Sequence, residues 1–362
     1  MKGEIKSMKK IVVMFSIIML LIPSIDVFAA TKGEQNALKA VAEYLEDSPM
    51  SESSVRDYLD WDGYTSSEIE YAIKNCNVDW NEQAVKYAKK ELSEDFESKE
   101  SLKSSLEGGG FTESQVEYAL EACKDTDWNE QALLYAKRII KEYFVSKKSL
   151  ISWIEDRGFS EEESNYAMSN ISVDWNNQAK LNALDLIKYS PKSKKGVERW
   201  LKNEDFTKSE ISFAMKNIKV NWKKQAEKYA KKEVKEYYNS KKGVKIALKE
   251  EGFTKAEIKA GEKKVKKTNW KKNALLYAKN EISDKGISKK RLTSNLENSY
   301  FTKSQVNYAL KRIKANWKEE AYQAAKDYLE DSALSKKKLE QWLADDGFTK
   351  AQIKYAIKKV GY

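Results

Sequence analysis

Residues 110–136 read GFTESQVEYALEACKDTDWNEQALLYA, and the pattern in that stretch returns along the whole chain at a fixed interval. Trp128 has counterparts at Trp80, Trp175, Trp222, Trp270 and Trp317, each 47 or 48 residues from the next. The aromatic Phe111, set between a glycine and a threonine, has counterparts at Tyr64, Phe159, Phe206, Phe253, Phe301 and Phe348. Seven turns against six tryptophans is the count expected of seven units with six junctions. Each tryptophan is therefore read as opening a unit that follows another, buried where the two meet, because a large ring fills the gap that one unit leaves open.

Three helices account for each unit. The first opens at the tryptophan behind an Asp or Asn (Asp79, Asp127, Asp174, Asn221, Asn269, Asn316), residues that accept the free N–H groups of a helix start. Its apolar stripe runs Trp128, Ala132, Tyr135, Ala136, Ile139 at helical spacing. The second starts behind Ser51, Ser98, Ser146, Ser193, Ser240, Ser288 or Ser335, followed by apolar triplets such as Leu150, Trp153 and Ile154. The third opens on a capping box in all seven units, from Thr65 with Glu68 to Thr349 with Gln352. The expected fold is all-α: an extended tandem array of seven three-helix units, each containing a helix-turn-helix. The boundaries are 31–78, 79–126, 127–173, 174–220, 221–268, 269–315 and 316–362. Unit five has Gly261 inside its third helix where alanine stands elsewhere, which predicts the weakest unit, since such a glycine costs roughly 1 kcal/mol.

Residues 1–29 carry the charged, apolar and small-residue regions of a secretory signal peptide, with cleavage expected after Ala29. The apolar run 11–22 is shorter than the roughly 20 residues a membrane-spanning helix needs. No membrane span is expected, and a secreted or cell-surface location is. With no histidine and with carboxylates spread over helix surfaces, no catalytic, metal or cofactor site can be assembled. The chain reads as a non-enzyme. Cys76 and Cys123 occupy a position held elsewhere by Ile or Val, so they are read as core residues and not as a disulfide.

The net charge of +10 hides a polarity. Residues 31–190 hold 18 Lys+Arg against 32 Asp+Glu, and residues 191–362 hold 44 against 22. The lysine runs at Lys192, Lys194 and Lys195, at Lys241 and Lys242, and at Lys263, Lys264, Lys266 and Lys267 admit two readings: solvated helix faces, or a surface for an anionic polymer. The helix-turn-helix shape in a basic protein suggests DNA, but a signal peptide points away from nucleic acid as the physiological target. The corner is then a compact way to bury two stripes. Trp61 stands off the repeat pattern beside the first turn and is the candidate exposed aromatic.

The blocks at 127–136 and 110–120, and again at 316–317 and 301–310, resemble the Ltp family of host cell surface-exposed lipoproteins, built from tandem helix-turn-helix repeats of this length. The resemblance implies an all-helical repeat protein on a Gram-positive surface. For prophage-encoded members it implies superinfection exclusion, the blocking of DNA entry from an incoming phage. Ala30-Thr31 stands where a lipoprotein carries its acylated cysteine, so lipid anchoring is not expected. The expected function is binding of a surface polymer such as a cell-wall polyanion, or of a phage or surface protein, with a structural spacer as the remaining reading.

Overall fold

The computed structural model describes residues 30–282 and 286–362; the signal-peptide reading of 1–29 lies outside them. Among the described residues there are 21 α-helices and no strand, and they fall into seven successive triplets. In the fourth repeat these are Trp175–Tyr189, Lys194–Asn203 and Lys208–Asn217. Within each repeat the first and third helices pack along each other, and in all but the second repeat the shorter second helix packs against both. The chain divides into two compact bodies, one of residues 30–94 with 100–126, the other of 95–99 with 127–362.

Helix starts follow the sequence closely. All seven third helices begin with a reciprocal capping box, at Thr65, Thr112, Ser160, Thr207, Thr254, Thr302 and Thr349. Each of the six junction tryptophans is the first residue of its helix, with Asp174 or Asn221, for example, capping from the residue before.

The Gly-Phe-Thr step ends one helix, plugs the core and starts the next. Gly63, Gly110, Gly158, Gly252 and Gly347 are left-handed, with φ between 78° and 100°. The aromatic that follows donates its amide five residues back, as in Phe111 to Leu106 and Phe348 to Leu343, and the glycine donates three residues back. These are the paired bonds of a Schellman stop, which satisfy the last carbonyls of the helix. The aromatic then turns inward, so Phe111, Phe159, Phe206, Phe253, Phe301 and Phe348 are at most 5% exposed. In four repeats it meets a tyrosine of the first helix, as Tyr87 meets Phe111 with ring centroids 5.4 Å apart.

The first repeat and the third to seventh each gather a core of their own. That of the sixth gathers Ala274, Ala278, Leu292, Leu296, Phe301 and Val306. Gly261 lies where two helices approach closely. It is buried, and a Cβ there would lie 3.0 Å from the Ala226 carbonyl oxygen and 3.0 Å from Leu248 Cδ1. The first and third helices of this repeat pack more extensively than in any other, so the glycine's cost in helix propensity is set against close packing. Cys76 and Cys123 are free; Cys123 is buried, and burial pushes its thiol pKa up.

Candidate functional site

Six of the seven serines that open the second helices have almost no exposed surface, 0–1% for Ser51, Ser98, Ser146, Ser193, Ser240 and Ser288. A cap alone does not require this. In the body 30–94 with 100–126, Ser51 Oγ accepts the Ser54 amide and donates to the Gly109 carbonyl at 2.7 Å, in the turn of the next repeat. The other body repeats the bond: Ser98 to the Arg157 carbonyl at 2.8 Å, Ser193 to Glu251 at 2.7 Å and Ser288 to Asp346 at 2.5 Å. In the third repeat Ser146 donates to Ser149, which donates to the Glu204 carbonyl at 3.2 Å.

The residue two places after the serine lies on the left-handed position of that same turn. Ser53 packs on Gly110, Lys195 on Gly252 and Lys290 on Gly347. Where the left-handed residue is not glycine, the contact becomes polar. Lys148 Nζ is 2.8 Å from Asp205, at φ 61°, and Lys242 Nζ is 4.4 Å from the ring centroid of Tyr300, at φ 62°. Charge pairs complete the seat. Glu251, 7% exposed, faces Arg199 at 3.3 Å and Lys192 at 3.8 Å, and Arg291 pairs with Asp346. At Arg157 the polarity is reversed, with the turn supplying the cation to buried Glu97 at 2.6 Å. The bond from Tyr328 to Asp346 and, above all, burial push the tyrosine's pKa up to about 12.

The tryptophans are half-buried and not enclosed, because the first turn of a helix leaves one ring edge at the surface. Trp80 packs on the core of the first repeat, Trp175 on the third, Trp222 on the fourth, Trp270 on the fifth and Trp317 on the sixth. Each of these five therefore leads its own repeat while packing on the one before.

Among the candidate lysines, Lys194, Lys195, Lys241, Lys242, Lys263, Lys264, Lys266 and Lys267 are exposed. Lys192 is not part of a free patch, since it is half-buried at Glu251. Lys264 pairs with Glu227 at 3.6 Å. Missed by the residue-by-residue reading is a column at the first position of the second helices. Lys99, Lys147, Lys194, Lys241, Lys289 and Lys336 all stand there, and all are exposed. The signal was present as the Ser-Lys step of each repeat. Trp61 is 88% exposed.

No helix among the described residues is long and apolar enough to cross a membrane. No group of three His, Cys, Asp or Glu among them is placed to hold a metal ion. Neither a curated protein nor a solved structure matches the chain. The family model of the Ltp host cell surface-exposed lipoproteins matches it twice, over residues 32–76 and 316–360, which are the three-helix units of the first and seventh repeats.

Proposed function

We propose that this is a non-enzymatic protein of the Gram-positive cell surface whose basic repeats, the fourth to the seventh, bind a phosphate-bearing wall polymer. The observation that carries the reading is the lysine column. A cation at the first position of a helix opposes the positive end of the helix dipole, at a cost of a few tenths of a kcal/mol. Lys194, Lys241, Lys289 and Lys336 hold that position in four consecutive repeats without an acidic partner among the described residues. Exposed lysines repeated at a fixed interval suit the phosphates of a polymer, and residues 191–362 supply a net +22 around them. Polymer binding of this kind holds the protein at the surface without a lipid anchor.

The test uses the mature protein and purified walls, sedimented with and without their anionic polymer. Binding that is lost on stripping the polymer and on raising salt supports the reading. Binding indifferent to both overturns it.

A second reading, which the resemblance implies for prophage-encoded members, is superinfection exclusion, in which the repeats engage a component of phage DNA entry. It requires that cells displaying the protein adsorb phage normally yet fail to take up its DNA. If neither the wall nor the phage assay responds, the spacer reading remains.

A further inference from the structure

The seat between consecutive repeats has two halves. One is the serine-lysine start of a second helix, and the other is the left-handed turn of the repeat that follows. Both halves also occur open. Ser335, which corresponds to the six serines that are 0–1% exposed, is itself exposed, as are Lys336, Lys337 and Lys338. At the other half, Asp62 and Gly63 are exposed, and a Cβ placed on Gly63 meets nothing within 4 Å, whereas one on Gly347 would meet Lys290 Cδ at 2.7 Å.

The two open halves match the closed seat between the sixth and seventh repeats at six of eight positions, with Lys338 for Arg291 and Tyr64 for Phe348. There Ser288-Lys289-Lys290-Arg291 receives Asp346-Gly347-Phe348-Thr349. The open halves read Ser335-Lys336-Lys337-Lys338 and Asp62-Gly63-Tyr64-Thr65. The backbones agree too: Ser335 and Ser288 cap their helices in the same way, and Gly63 and Gly347 have φ of 87° and 90°. Even the support behind the carboxylate is repeated, with Tyr44 bonded to Asp62 as Tyr328 is to Asp346. Asp346 has Arg291 as its cation, while no salt bridge reaches Asp62 among the described residues.

We infer that a second copy of this chain docks its first-repeat turn, Asp62-Gly63, on the Ser335–Lys338 face of the seventh repeat. Ser335 Oγ donates to the Asp62 carbonyl, Lys337 lies over Gly63, and Lys338 pairs with the Asp62 carboxylate. The fit extends to overall charge, since the turn belongs to the acidic part of the chain and the lysine face to the basic part. The contact is heterologous, so each added copy presents a new open half to the next. It is weaker than a seat within the chain, because Gly33 stands where the other repeats have their junction tryptophan. Crowding at a cell surface offsets that weakness by raising the local concentration.

The experiment is sedimentation velocity on the mature chain from about 1 µM to about 1 mM at low salt, the range in which weak contacts of this size register. The expected result is a mass that grows with concentration past the dimer and falls back with added salt. Lys338→Glu, on an exposed side chain, lowers the association constant about tenfold or more, and Asp62→Lys does the same. The two changes in one chain restore it, with circular dichroism confirming the fold of each variant. A monomer at every concentration overturns the inference, as does a closed dimer or an association that ignores both variants.

Discussion

Ser193 and Glu251 lie 58 residues apart and are joined by one hydroxyl: Ser193 Oγ donates to the Glu251 carbonyl at 2.7 Å while accepting the Gly196 amide at 2.8 Å. A single serine starts a helix and fixes the position of the next repeat. The same pairing at Ser51 and Ser288 makes the junction a local, repeated unit of stability, as expected of arrays in which each repeat leans on its neighbour.

Replacing a junction serine therefore costs more than replacing a serine that is only a cap. Ser288→Ala loses the cap and leaves the Asp346 carbonyl without its bond, for about 2 kcal/mol, whereas exposed Ser335→Ala loses about 1 kcal/mol. Native-state hydrogen exchange, which reads each repeat separately, measures the difference. Equal losses at the two sites would remove the bridging role.

Gly261→Ala tests the packing account of the fifth repeat. Helix propensity alone promises a gain of about 1 kcal/mol. The new Cβ would sit 3.0 Å from the Ala226 carbonyl oxygen and from Leu248 Cδ1, so the expected outcome is no gain or a loss. A rise in the exchange protection of residues 222–264 by the full propensity value would show that the glycine is a defect after all.

The left-handed turn positions divide by what covers them. Asp205→Gly relieves about 1 kcal/mol of backbone strain and loses the Lys148 pair, most of which is solvent-exposed, so it should change stability little. Gly347→Ala gains strain at φ 90° and drives a methyl into Lys290, for a loss above 1 kcal/mol. Urea unfolding of both variants decides between this and a uniform glycine requirement.

Tyr328 makes stability fall at high pH. Its folded pKa, about 12, lies above the ordinary 10, because burial and the bond to Asp346 favour the neutral phenol. The folded chain keeps that proton longer than the unfolded one, so the contribution is complete below pH 10 and is lost as pH rises towards 12. Thermal midpoints between pH 9 and 12 should drop more steeply for the wild type than for Tyr328→Phe. Parallel curves would contradict this.

Much of the fold was legible because its signals are local. A capping box spans four residues and a Schellman stop needs only a glycine and the aromatic after it, so Thr207 with Glu210 or Gly110 with Phe111 declare themselves without tertiary information. The junction was half legible. Counting tryptophans against turns shows that units meet, but the main-chain carbonyls that Ser51, Ser98, Ser193 and Ser288 reach lie 58 or 59 residues away and carry no residue signature. Lys192 reads from sequence as one of an exposed run, solvated or polymer-binding, because Glu251, which half-buries it, belongs to the next repeat. Gly261 was legible only as a cost in helix propensity, because the sequence does not show the distance from one helix to its neighbour.

Polymer binding is tested by the salt dependence of the affinity between residues 30–362 and a soluble polyphosphate. Each lysine-phosphate contact releases counterions, so the logarithm of the affinity falls with the logarithm of salt at a slope set by the number of contacts. A steep slope is expected for the wild type. The fourfold variant Lys194→Glu, Lys241→Glu, Lys289→Glu and Lys336→Glu should flatten that slope and lower affinity by about a hundredfold or more, while reversal of Lys39 and Lys103 in the acidic part changes neither. A slope near zero, or a fourfold variant that binds like the wild type, would contradict it.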